Sequence, residues 1–254
     1  MNINPHRAVH YTYRIYGTGG QGACLAVQSV LQEHGLCGHT EWDSPEWHFM
    51  CLTHLGSDDI TSLLGDLRGR FQVRVNDSAP FAQREGRLSG IGLRGADLSE
   101  AKLAGIDLSS ADLSQAKLSR SDLAGAKLND ALLAGANLCG ATLRGADLSR
   151  ADLTGADLSE ADLGQTNLSQ ANLSQAILCG ADLSEADLSG AKLLQTDMIR
   201  ANLLGAKLTQ ADLSEADLSK AILSGANLAE AAISIAQLAT AQSLQLAIIP
   251  ENAY

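Results

Sequence analysis

An apolar residue recurs at every fifth position from Leu88 to Leu238 without a slip. The 31 consecutive slots hold leucine 29 times, and Met198 and Ile233 fill the other two. Two residues before each slot stands a small residue, usually alanine. A polar Asp, Asn or Lys lies between, so the unit reads A-(D/N/K)-L-x-x, as in Ala151-Asp152-Leu153-Thr154-Gly155. A period of five suits neither regular element. An α-helix turns ~100° per residue, so five residues turn ~140° net and the leucines scatter around the axis. Strand side chains alternate with period two, so an odd step sends successive leucines to opposite faces. Gly135, Gly140, Gly145 and Gly155 at pentad ends also oppose a helix. A coil in which each pentad forms one short side and then turns a corner does satisfy the pattern. Every leucine then points inward, and stacked coils share one core, as in a solenoid.

On these residues the stretch from about Gly86 to Leu238 resembles the pentapeptide-repeat family, whose consensus is A(D/N)LXX. The resemblance implies a mainly β fold, a right-handed quadrilateral β-helix with four pentads per coil. The leucine and the preceding small residue would point inward and the other three positions outward. Thirty-one pentads then make just under eight coils, a rod of roughly 35–40 Å at ~4.8 Å per layer. Six pentads lack alanine at the small slot and carry Gly86, Ile91, Ile106, Ser121, Thr166 and Thr196. Thr166 and Thr196 would each bring a hydroxyl inside, where it needs a hydrogen-bond partner.

Composition divides the chain. All six histidines, both tryptophans, all three phenylalanines and three of the four tyrosines precede Arg84. The expected organisation is a small α+β domain at 1–76, a linker at 77–85, the β-helix at 86–240 and a C-terminal cap or tail at 241–254. In that tail Ala247-Ile248-Ile249-Pro250 would pack over the last coil after the register fails at Ser243. Within the first domain Val9 to Ile15 alternate as a strand, and Ala23 to His34 share a helical face ended by Gly35. Two strands, His39–Asp43 and Trp47–Leu55, meet at Ser44-Pro45. Ser57 caps a helix carrying Ile60 to Phe71, and Phe71–Val75 forms a last strand. The order β-α-β-β-α-β is the split pattern of a ferredoxin-like domain.

No apolar run approaches the ~18 residues of a membrane span, and Met1 to Arg7 carry no apolar signal-peptide core. Five cysteines without framework or zinc-finger spacing suit free thiols in a reducing cytoplasm. Net charge is −11, with 19 acidic and 12 basic residues over 86–240. So acidic a rod is a poor binder of nucleic acid, which needs clustered Lys and Arg.

Candidate sites are few. Gly17-Thr18-Gly19-Gly20-Gln21-Gly22 sits between a strand and a helix and resembles a phosphate-cradling turn. No Lys-Ser/Thr follows it, so a plain β–α turn is the simpler reading. Cys37, His39, His48, Cys51 and His54 lack paired ligand spacing, so no metal and no cofactor is expected. Trp42 and Trp47 flank Ser44-Pro45 and serve either the small core or a partner contact. Asp147, Asp152, Asp157 and Asp162 would occupy all four sides of one coil, as solvated charge or as an acidic partner-binding band. The rod has no His or Tyr and only two Cys, so no nucleophile–base set is visible and no enzyme is expected.

The pattern therefore points to a non-enzymatic scaffold that binds protein partners, with a homodimer as one arrangement and no direct nucleic-acid contact. The resemblance adds an alternative, since some relatives modulate DNA gyrase by mimicking DNA. Those relatives often carry Phe at the central slot and projecting loops, unlike this chain. It also suggests a bacterial, cyanobacterial origin. A ligand-sensing N-terminal domain carried by the rod is a third reading.

Overall fold

A computed structural model of the chain describes residues 11–17, 38–43, 46–53 and 73–76, then 89–90, 92–251 and 253. The first four stretches are strands: β1 (Tyr11–Gly17), β2 (Gly38–Asp43), β3 (Glu46–Thr53) and β4 (Val73–Asn76). They form one sheet in the order β2-β3-β1-β4. Each neighbouring pair is antiparallel. Hence β1 and β2 run parallel with β3 between them, and β3 and β4 run parallel with β1 between them. The segments expected to be helical, 23–34 and 57–71, lie outside the described residues, as does the turn at 18–22.

Register sorts the strand residues by face. Tyr13 with Cys51, Ile15 with Phe49 and Val75, and Trp42 with Trp47 fall on one face. Arg14 with Met50 and Asn76, and Tyr16 with His48 and Arg74, fall on the other.

From Gly92 onward the chain coils. Isolated parallel bridges join residues 20 apart, beginning with Gly92 and Asp112, so four pentads close one turn. Each pentad spends its backbone groups in the same way. Leu133 N–H donates to the Asp152 carbonyl (2.7 Å), and Asp152 N–H donates to the Ala131 carbonyl (2.9 Å). Gly135 N–H reaches Thr154 in the next layer (2.9 Å), and Ala136 N–H closes a turn on Leu133 (2.9 Å). The fifth residue of the pentad takes the left-handed conformation that a type II turn needs. Gly155 has φ 63°, and eighteen non-glycine residues have φ between 56° and 62°.

The core is a stack of alanine and leucine. Leu133, Leu153 and Leu173 are fully buried, as are Ala131, Ala151 and Ala171. The slots that depart from alanine are satisfied as well. Thr166 Oγ1 donates to the Leu143 carbonyl (3.0 Å), Thr196 Oγ1 to Leu173 (3.1 Å) and Ser121 Oγ to Leu118 (2.7 Å). Buried hydroxyls of this sort keep their place only with such a partner.

The carboxyl end departs from expectation. The short helix α1 (Ile235–Leu238) replaces one side of the last coil. Ser234 and Gln237 form a capping box at its start. Gln237 Nε2 also donates down to the Leu213 and Ala216 carbonyls (2.7 and 2.9 Å). One extra residue enters at Ala241, so the offset changes from 20 (Lys220 to Thr240) to 21 (Ala221 to Gln242). Residues 242–248 then resume the ladder, with Ser243 bridging Ile222 and Ile248 bridging Asn227. The register shifts rather than fails at this point, and this stretch extends the coil rather than lying across its top.

Candidate functional site

Asp147, Asp152, Asp157 and Asp162 stand on four successive sides and point to four directions, so they do not converge on a ligand. They are half-buried rather than fully solvated. Each one's Oδ1 accepts the backbone N–H two residues on, from Ser149, Thr154, Ser159 and Gly164 (3.0–3.1 Å). Hydroxyls add to this at Thr154 Oγ1 (2.5 Å) and Ser159 Oγ (2.6 Å). The same Asx turn recurs with asparagine at Asn137, Asn167 and Asn227. The carboxylate therefore shapes the corner, a use that explains why Asp and Asn alternate freely in the repeat.

Residues 20 apart pair along columns. Asn167 Nδ2 donates to Asp147 Oδ1 (3.0 Å) and Asn202 Nδ2 to Asp182 Oδ1 (2.9 Å). Arg150 clasps Asp130 with two bonds (2.8 and 2.7 Å). Corner glutamines form a further ladder, from Gln175 to Gln195 (3.3 Å) and on to Glu215 (2.7 Å). In the column Asp107, Lys127, Asp147, Asn167, Asp187, Lys207, Asn227, Lys207 approaches Asp187 at 3.4 Å. The ion pairs among them are solvent-exposed and contribute little to stability.

Among the described residues four carboxyls are held below the usual range. Hydrogen bonds from Ser99 lower Asp97, with Lys117 adding to the effect against the opposing burial. Arg150 and then Asn129 lower Asp130. Burial raises Asp187, but bonds from Ser189 and Lys207 outweigh it. Ser219 lowers Asp217. Asp97, Asp187 and Asp217 bear the mark of a bonded turn and Asp130 that of an ion pair, and none of the four has the raised pKa of a buried general acid.

Among the described residues no three His, Cys, Asp or Glu are grouped to hold a metal. In β3 His48 opposes Tyr16 and Glu41, and Cys51 opposes Tyr13 and Gly38, so the two fall on opposite faces. Cys37 and His54 lie outside the described residues. Cys139 and Cys179 are free thiols in one column with Ser159 between them. Trp42 and Trp47 are register partners beside the hairpin end.

Exposed aliphatic side chains were not singled out by sequence. Leu204 is 50% exposed and Leu246 is 85% exposed. The signal was present at Leu204, since the position after the central leucine holds Ser more often than any other residue. Among the described residues no helix is long and apolar enough to cross a membrane.

Residues 93–234, more than half of the chain, match the family described as Pentapeptide repeats, in eight copies. The chain belongs to the pentapeptide repeat family. Its rod is accordingly a right-handed quadrilateral β-helix. Among solved structures this pentapeptide repeat protein is 42% identical to HetL, a protein involved in heterocyst differentiation regulation in the cyanobacterium Nostoc sp. strain PCC 7120. The match covers 65% of this chain and 73% of HetL, with a TM-score of 0.47. It is 18% identical to QnrB1, a plasmid-mediated fluoroquinolone resistance protein, over 66% of this chain and 88% of that one, with a TM-score of 0.44. A pentapeptide repeat protein of the Arabidopsis thaliana thylakoid lumen is 32% identical over 50% of this chain and 70% of its own, with a TM-score of 0.28. No curated protein matches the chain.

Proposed function

We propose that the repeat rod is a non-enzymatic scaffold for protein partners in the cytoplasm, with the N-terminal domain as a second binding or regulatory element. The contrast between inner and outer positions carries this reading. Inner slots repeat alanine and leucine at near-zero exposure, whereas a single outer column runs Asp112, Leu132, Asp152, Asn172, Lys192, Asp212. A monotonous core supports any outer residue, so the information in the rod is written on its sides. Rigid, flat, stacked sides present that information at fixed ~4.8 Å steps.

Affinity capture with the full chain, against a control with the same core and shuffled outer columns, tests this reading. A partner retained by the first and lost from the second supports it. Equal capture by both sinks it.

DNA mimicry is disfavoured by magnitude. Over ~37 Å, duplex DNA carries ~22 phosphates. The rod carries a net −7, and none of its four sides exceeds a net −2. A gyrase supercoiling assay decides between the two, and we expect no effect at micromolar rod.

A further inference from the structure

Of the eight large apolar side chains exposed among the described residues, five lie beyond Leu203. Leu204 and Leu246 stand where this side of the rod elsewhere carries other residue types. The position of Leu204 holds Ala124, Arg144, Gly164 and Ser184 in the preceding layers, and the corner of Leu246 holds Gln165 and Glu185. Leu246 is the one apolar residue among the eighteen non-glycine residues at positive φ, at 60°. It thus bears the steric cost of a left-handed corner while 85% exposed. Between the two leucines, Gly205 and Gly225 leave the corner bare. The result is a groove of about 340 Å³ with Glu185 at its rim.

The charge on this side is also one-sided. From Asp162 onward its pentads carry Asp162, Asp182 and Glu185 and no Lys or Arg. Arg144 lies 3.8 Å from Asp162. Asp182 accepts from the Asn202 amide (2.9 Å) and the Ser184 backbone N–H (3.0 Å), and Glu185 accepts from the Gln165 amide (2.9 Å), all neutral donors. Arg200 and Lys220 belong to the opposite corner of the side.

We propose that this groove docks a short partner segment bearing an aliphatic or aromatic anchor and a nearby Lys or Arg. The anchor sits between Leu204 and Leu246, and the cation faces Glu185 and Asp182. Three layer steps, ~14 Å, separate Leu246 from Asp182, which one helix of about ten residues spans. This inference rests on the scaffold reading and names the part of the rod that performs it.

Peptides of about twelve residues, enough for that helix, selected from a random display library on the full chain serve as probes. Their affinities are read by fluorescence anisotropy against the unaltered chain and the variants Leu204→Ser, Leu246→Gln and Glu185→Gln. Each variant installs a residue that this side already uses at the same pentad position, as at Ser184, Ser224 and Gln165. The fold is therefore retained, which thermal unfolding checks. The expected result is enrichment of an apolar anchor beside Lys or Arg, with roughly tenfold weaker binding on loss of either leucine. Glu185→Gln should weaken binding less and flatten its salt dependence. Peptides that bind all three variants as they bind the unaltered chain would place docking elsewhere, overturning this inference while the scaffold reading stands. No enriched peptide together with no captured partner overturns both. Self-association by sedimentation that Leu246→Gln abolishes would assign the groove to a second copy, and that also overturns the proposal.

Discussion

At the scale of single residues, the outward aspartate is a structural group before it is a charge. Asp157 Oδ1 accepts Ser159 N–H at 3.0 Å and Ser159 Oγ at 2.6 Å. Asparagine keeps that acceptor and alanine removes it. Asp157→Asn should therefore leave the denaturation midpoint nearly unchanged, whereas Asp157→Ala should cost about 1 kcal/mol. Equal effects of the two would mean that charge, not the turn, is what matters. The depressed carboxyls follow the same logic. Asp97 lies below its unfolded value of ~3.9, chiefly through Ser99. A folded pKa below the unfolded one gives stability that is complete above the unfolded pKa and lost as pH falls through the folded pKa. Ser99→Ala should raise the Asp97 midpoint in an NMR titration towards the ordinary value and move acid unfolding to higher pH. An unmoved midpoint would show that Ser99 is not the cause.

At the scale of the element, the unit is a pentad side with its corner. The left-handed fifth residue has no neighbour crowding it at Gly155, where an added Cβ meets nothing within 4 Å. Gly155→Ala therefore isolates the backbone cost, which should be about 1–2 kcal/mol by denaturant titration. A smaller loss would mean that the corner relaxes. Much of this element was legible in the sequence. The period of five led directly to inward leucines, because burial dictates that feature, and the resemblance to pentapeptide repeats implied the 20-residue columns and the internal hydroxyls of Thr166 and Thr196. The Asx turn was not legible, because an aspartate bonded to a turn and a solvated one look alike in a repeat. Helix α1 hid because Leu238 keeps the pentad phase even though its side has become helical. The capping pair Ser234 and Gln237 was the signal that could have revealed it. Before residue 77, alternation located the four described strands to within about two residues of the observed bounds, since strand side chains alternate with period two.

At the scale of the whole molecule, the rod obeys two different periods. The core repeats every five residues, while the outer columns repeat every twenty. Deleting 151–155 should preserve the core and rotate every later column by one side. Deleting 151–170 should preserve both. Both variants should keep cooperative unfolding by circular dichroism, and a pentad deletion that unfolds the rod would contradict the independence of core from columns. The carboxyl end is less tolerant. Residues 242–248 complete the ladder on Ala221, Leu223, Gly225 and Ala226. Removing 241–254 would bare that edge, and the truncated chain should self-associate by light scattering. An unchanged monodisperse profile would show that α1 closes the rod unaided.

The separation of the two periods has a genetic consequence. A replication slip of fifteen nucleotides adds or removes one pentad in frame and leaves every leucine inside. It also turns the downstream surface by a quarter revolution, presenting an existing set of residues in a new direction. A gene of this kind can therefore try out new faces by changes in copy number alone, long before any codon is altered.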